Sequence, residues 1–139
     1  MVGIGKIISG SLCLVFLLGC GTPFPYQGHW RGSRNIPSPD EASRDIAYQL
    51  GKVDLVVKPN GMFDLVEGGL PKSGRTRVEN GVLKLIVTHV VDQPLPPERE
   101  QVIEVRASDK DTVVFTDKAG IDPNPVTLKR IATRVDNRP

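Results

Sequence analysis

The sequence has little cysteine. Among its 139 residues only Cys13 and Cys20 are cysteines, and Cys13 lies within an apolar leader. With a single cysteine left once the leader is gone, a disulfide framework and a cysteine-based metal site within one chain are both excluded. Histidine is as scarce, with only His29 and His89, and no spaced acidic cluster accompanies them. Neither a metal nor a cofactor is therefore expected. Aromatic residues are few (one Trp, two Tyr, four Phe), which argues against a stacking platform for sugars or bases. Charge is balanced: 18 Lys and Arg stand against 16 Asp and Glu, a net +2 that becomes +1 once Lys6 leaves with the leader. Nothing in that balance draws the chain to nucleic acid. The apolar run Ile7–Leu18 has twelve residues, interrupted by Ser9, Gly10 and Ser11. That falls short of the roughly 20 residues a membrane-spanning helix needs. No Gly-x-Ser-x-Gly elbow and no Gly-Lys-Ser/Thr phosphate loop is present, and an enzyme is not expected.

What the N-terminus does contain is a leader. One positive charge, Lys6, precedes the apolar run, and Leu17-Leu18-Gly19-Cys20 follows it. This order fits a signal peptide. The Leu-Leu-Gly-Cys end resembles the lipobox of bacterial lipoproteins; Leu17 and Gly19 match it, and Leu18 is larger than the residue usual there. The resemblance implies cleavage before Cys20 and a diacylglyceryl group on its thiol. Each buried CH₂ contributes about 0.8 kcal/mol, so two or three acyl chains suffice for stable anchoring. Residues 1–19 then form the signal peptide, 20–27 a lipidated tether, 28–132 the folded domain and 133–139 a C-terminal tail. The expected location is the extracytoplasmic face of the cell envelope, held to a membrane by lipid on Cys20. Gly21 stands where an aspartate can act as an inner-membrane retention signal, which by the family rule implies the outer membrane where the host has one.

Beyond the tether the text is β-like. Apolar and polar residues alternate in eight patches, about 28–33, 53–58, 62–67, 74–79, 82–90, 99–107, 112–117 and 126–131. Pro59-Asn60-Gly61 and Asn80-Gly81 are hairpin signals, and Asp109-Lys110-Asp111 is a weaker one. Pro94, Pro96 and Pro97 mark a stiff loop that cannot continue a ladder. Parity places Val53, Leu55 and Val57 on one face, with Phe63 and Leu65, with Leu83, Leu85 and Val87, with Ile103 and Val105, and with Val113 and Phe115. Burying each stabilises by roughly 1.5–3 kcal/mol before entropy is set against it. One segment has helical spacing. Ser38-Pro39-Asp40-Glu41 reads as a capping box, Ala42, Ile46 and Leu50 recur every four residues, and Gly51 is a stop, so a helix is expected near 39–49. A strand starting near Ile46 is the rival reading. The expected fold is all-β: a small antiparallel up-and-down barrel or half-open sheet of about eight strands, with one short helix.

Gly28-His29-Trp30-Arg31-Gly32 has the Gly-x-Trp-x-Gly form that opens many lipocalin-like domains, and Leu128-Lys129-Arg130 stands near the end. Residues 26–132 resemble small bacterial lipocalin-like lipoproteins. The resemblance implies that Trp30 sits at the closed end of a barrel and that Arg130 packs across it. The usual lipocalin disulfide is absent. The resemblance implies a binding role without naming a ligand.

Four residues are candidates to line a ligand site. His89 falls on the inward parity of its strand near a loop end, Gln101 is polar at the same end, and Phe63 and Phe115 belong to the inward stripe. Asp54 and Asp64 flank one hairpin on outward faces, and Lys72, Arg75 and Arg77 form a basic edge. Two functions compete. In one, a tethered module holds a small apolar ligand or a peptide at the barrel mouth. In the other, a solid barrel serves envelope assembly, stress sensing or enzyme inhibition through the loops at 92–98 and 118–125, which carry Leu95 and Ile121.

Overall fold

Alternating residues over five to ten positions demand a sheet with one buried face, and eight such strands here close on themselves. A computed structural model describes residues 25–120 and 122–132. The leader, Cys20, Ile121 and the 133–139 tail lie outside the described residues. The strands are β1 (Gly28–Ser33), β2 (Lys52–Val57), β3 (Met62–Glu67), β4 (Leu70–Glu79), β5 (Val82–Val90), β6 (Gln93–Pro94), β7 (Gln101–Asp109), β8 (Thr112–Thr116) and β9 (Val126–Ile131). Consecutive strands pair antiparallel, β7 succeeds β5 directly, and β9 returns to β1. The β4–β5 ladder joins the two halves, so the result is an eight-stranded up-and-down barrel with β6 as a short extra strand beside β5.

The inward parity rows meet inside. Val53, Leu55, Val57, Phe63, Leu65, Leu83, Leu85, Val87, Ile103, Val105, Val113 and Phe115 form one buried cluster with Trp30, Val126 and Leu128. The barrel axis is thus filled by side chains. Tyr26 also enters this core, so ordered packing begins ahead of β1. The hydroxyl of Tyr26 donates to Gly81 O, and the Trp30 indole N–H donates to Tyr26 O at 2.9 Å. That end is closed.

Two tight turns are built as their residues require. Asn80 and Gly81 both have positive φ (51° and 76°), as do Gly68 and Gly69 (59° and 83°). The second pair makes β3–β4 a tight hairpin and extends β4 back to Leu70, four residues before the expected start. The proline-rich loop also differs from expectation. Val91 and Asp92 turn at φ of 50° and 58°, and Gln93–Pro94 pairs briefly with β5 before a 3₁₀ turn at Pro97–Arg99. Proline is tolerated there because the strand is an edge.

The helix, α1 (Arg44–Gly51), joins β1 to β2 and starts later than expected. Asp40, not Ser38, organises its approach: Asp40 Oδ1 accepts from the backbone N–H and the hydroxyl of Ser43, both at 2.7 Å. The expected apolar face is turned to solvent. Ala42 is exposed, Ile46 is 64 % exposed and Leu50 is exposed, while Ala47 and Gly51 are the buried positions. Helical spacing marks a shared face, but only the sheet beneath decides whether that face is covered.

Candidate functional site at the barrel mouth

The inward rows of β1, β3 and β8 end, at the same end of the barrel, on a charged residue. Along β1 and just beyond it the row is Trp30, Gly32, Arg34; along β3 it is Phe63, Leu65, Glu67; along β8 and just beyond it is Val113, Phe115, Asp117. β4 contributes Lys72, two residues before the inward Gly74. All four charged side chains are buried, Glu67 and Asp117 to within 1 % of complete enclosure.

They form one connected group. Lys72 Nζ donates to Glu67 Oε2 at 3.2 Å and to Asp117 Oδ2 at 2.9 Å. Arg34 Nη2 lies 3.0 Å from Glu67 Oε1, and its guanidinium carbon stands 5.7 Å from the Phe115 ring centre. That Arg34 contact is an ion pair without a well-aligned hydrogen bond: all three guanidinium nitrogens and Glu67 Oε1 are buried with no hydrogen-bond partner. Two cations and two carboxylates cancel formally, which is the condition for burying charge at tolerable cost.

The two carboxyls are driven apart. Burial, and then the neighbouring Asp117, push Glu67 above its ordinary range against the pull of Lys72. Burial acts the same way on Asp117, but hydrogen bonds from Lys72 and Glu67 outweigh it and hold Asp117 below its ordinary range. Glu67 is thus the readier of the pair to hold a proton.

Above this group lies a cleft of about 300 Å³ lined by Glu67, Leu70, Lys72, Val90, Gln101, Ala119 and Gly120. Gln101 Oε1 is buried there with no hydrogen-bond partner. Gly120 packs against the two carboxyls: a Cβ at that position would lie 2.8 Å from Glu67 Oε1 and 2.9 Å from Asp117 Oδ2.

Of the four residues expected to line a ligand site, the mouth holds Gln101 at its surface and Phe115 beneath Arg34. Phe63 is fully buried in the filled core. His89 is exposed on the outside, which corrects its inward assignment. The cause is a bulge: Ser73 pairs with His89 but Gly74 pairs with Val87, leaving Thr88 as an extra residue. One extra residue reverses the parity of everything beyond it. Gly74 makes the bulge feasible, since a Cβ there would lie 1.9 Å from Ile86 O.

Other expectations also shift. Lys72 leaves the supposed basic edge for the interior, while Arg75 and Arg77 stay outside and pair with Glu100 (3.6 Å) and Glu79 (2.9 Å). Asp54 and Asp64 are not a pair: Asp54 contacts His29 at 2.6 Å and Arg31 at 2.7 Å, and Asp64 contacts Lys58 at 2.7 Å. Leu95 packs against the core rather than projecting from its loop. At the opposite end Arg130 lies over Trp30, 4.1 Å from guanidinium carbon to ring centre. Among the described residues, no group of three or more His, Cys, Asp or Glu side chains is placed to hold a metal ion.

Sequence reasoning missed Arg34, Glu67, Lys72 and Asp117. The signal was present for three of them: extending each parity row by two residues reaches Arg34, Glu67 and Asp117. Compared with known proteins, the chain matches no family model and no curated protein.

Proposed function

We propose that this chain is a membrane-tethered extracytoplasmic binding lipoprotein, lipidated on Cys20, that meets its ligand at the barrel mouth. The observation that carries the reading is the cleft over Glu67, Lys72 and Gln101, where Gln101 Oε1 is buried without a hydrogen-bond partner. Unsatisfied buried polar atoms cost about 1–3 kcal/mol each, a cost that a ligand or ordered water offsets. An apolar ligand within the axis finds no support, because Leu55, Leu85, Ile103 and Leu128 occupy it. The ligand is therefore held at the mouth, by polar contacts.

The anchor fits that geometry. The chain enters β1 at the Trp30 end, and the cleft lies at the other end of a six-residue strand. At roughly 3.3 Å per residue the two are about 20 Å apart. Lipid on Cys20 then sets the closed end toward the membrane and the cleft toward the aqueous phase.

Native mass spectrometry of the lipidated protein, extracted from its own envelope in mild detergent, tests this reading. The expected result is a diacylglyceryl mass on Cys20 together with a small co-purified molecule, and a Cys20→Ala form that leaves the membrane fraction but keeps that molecule. An unlipidated protein overturns the anchor, and a bare protein overturns the small ligand.

A second reading, a protein-interaction lipoprotein with a solid barrel, is favoured by one observation. Ile46 and Tyr48 on α1 are 64 % and 56 % exposed, and Val66, Leu70 and Val91 are exposed near the mouth. Exposed apolar groups of this size suit a protein contact. A second polypeptide in the extracted complex, with no small molecule, selects that reading.

A further inference from the structure

We infer that Asn80 is a site of spontaneous covalent modification: the backbone nitrogen of Gly81 displaces ammonia from its side chain, and the turn at the closed end of the barrel gains a carboxylate. The inference is independent of what the mouth cleft binds. Asn-Gly is the pair in which this chemistry is least hindered, because glycine puts no side chain beside the attacking nitrogen. The chain holds two such pairs, Asn60-Gly61 and Asn80-Gly81, and the fold treats them differently.

At Asn60-Gly61 both reacting groups are engaged. The Gly61 N–H donates to Lys58 O at 3.2 Å, and Asn60 Oδ1 accepts from the Met62 N–H at 3.0 Å. Attack has to break both bonds. At Asn80-Gly81 both residues are exposed, both have positive φ, and together they form the whole loop between the paired Glu79 and Val82. Among the described residues, no hydrogen bond holds the Gly81 N–H or the Asn80 carboxamide.

The step needs no co-reactant but water. The Gly81 nitrogen bonds to the side-chain carbonyl carbon of Asn80 and gives up its proton, while the C–N bond of the carboxamide breaks and ammonia leaves. Water then opens the cyclic imide at either carbonyl. One opening leaves an aspartyl residue. The other leaves an isoaspartyl residue, whose main chain runs through the side-chain carbon and is one methylene longer. Either product carries one more negative charge. The longer one disturbs the fold, because Gly81 O accepts from the Tyr26 hydroxyl, which itself accepts from the Ala107 N–H at 3.3 Å. Tyr26 O in turn holds the Trp30 indole at 2.9 Å. A methylene inserted into a two-residue loop shifts the Gly81 carbonyl and loosens the chain ahead of β1.

The test incubates the full chain in detergent micelles at mildly alkaline pH for several weeks, with the same chain in concentrated urea as the reference. Tryptic peptide mapping by mass spectrometry separates the amide, aspartyl and isoaspartyl forms of each site. In urea the two sites are expected to react at similar rates, since both are Asn-Gly. In the folded protein Asn80 is expected to react at least about tenfold faster than Asn60, whose two hydrogen bonds must break first. The isoaspartyl fraction is expected to melt below the aspartyl fraction. A folded protein in which Asn80 reacts no faster than Asn60, or keeps its amide while the urea-unfolded chain loses it, overturns the inference. Equal melting points of the two product fractions overturn the link to Tyr26.

Discussion

The ammonium of Lys72 stands 2.9 Å from Asp117 Oδ2, joining β4 to the end of β8 through the inside of the barrel. Both side chains are buried, so neither has water to fall back on. Lys72→Met removes the cation and leaves two carboxylates facing Arg34 alone. The expected loss is about 3 kcal/mol at pH 7, since breaking a buried pair strands a charge. The variant should regain part of that loss at pH 5, where its carboxyls protonate more readily than in the native protein. Urea midpoints at the two pH values check both parts.

Glu67 and Asp117 give stability two opposite dependences on pH. Glu67 is raised by burial and by Asp117 from an ordinary value of 4.5. Its contribution is fully present below 4.5 and is lost as pH rises through the higher folded value. Asp117 is held below its ordinary 3.8, where hydrogen bonds from Lys72 and Glu67 outweigh burial. Its contribution is present above 3.8 and is lost as pH falls through the folded value. Denaturation across pH should show Glu67→Gln flattening the upper dependence and Asp117→Asn the lower. If Glu67→Gln leaves the upper slope unchanged, the assignment of the raised group is wrong.

Arg130 closes the far end by more than its stacking on Trp30. Its Nη1 donates to Gln27 O at 2.6 Å, and its Nη2 donates to Pro25 O and Lys110 O, each at 3.0 Å. Arg130→Ala should cost about 2 kcal/mol, the sum of a cation–π contact and lost charge-assisted bonds. Arg130→Lys should recover little, because a lysine cannot span three carbonyls from one planar group. Thermal melts of the pair read the difference.

Gly74 should tolerate no side chain. An added Cβ meets Ile86 O at 1.9 Å, a backbone atom within the β4–β5 ladder that closes the barrel. Gly74→Ala is expected to lose at least about 3 kcal/mol or to fail to fold, as overpacking at a fixed backbone does. A variant with native stability would show that the bulge at Thr88 rearranges freely.

Ile46→Glu should change stability by less than about 0.5 kcal/mol, because the side chain is mostly in water. Had the helix buried its periodic face, the same change would cost several times more. If Ile46 instead meets a partner protein, the variant keeps its melting point and loses the partner.

Much of the barrel was legible in the sequence. Strand patches and the core rows followed from period-2 alternation, which the chain keeps almost without exception from Val53 to Phe115. Hairpins followed from Asn60-Gly61 and Asn80-Gly81, whose residue types accept the required φ. Gly68-Gly69 carried the same signal, but the following Pro71-Lys72-Ser73-Gly74 reads as a loop. It forms a strand because Pro71 lies opposite Val66 and Gly74 opposite Phe63 in the β3 ladder.

Local alternation thus determined the eight barrel strands, most of the side chains that point inward and that the core is apolar. Three matters were decided only when distant segments met. Closure of the barrel rests on β1–β9 pairing across about a hundred residues, which no local pattern encodes. The outward turn of His89 rests on a single unpaired residue, Thr88, and parity cannot report a residue that is skipped. The burial of Arg34, Glu67, Lys72 and Asp117 rests on their neutralising one another, and a charge reads as surface until its partner stands beside it.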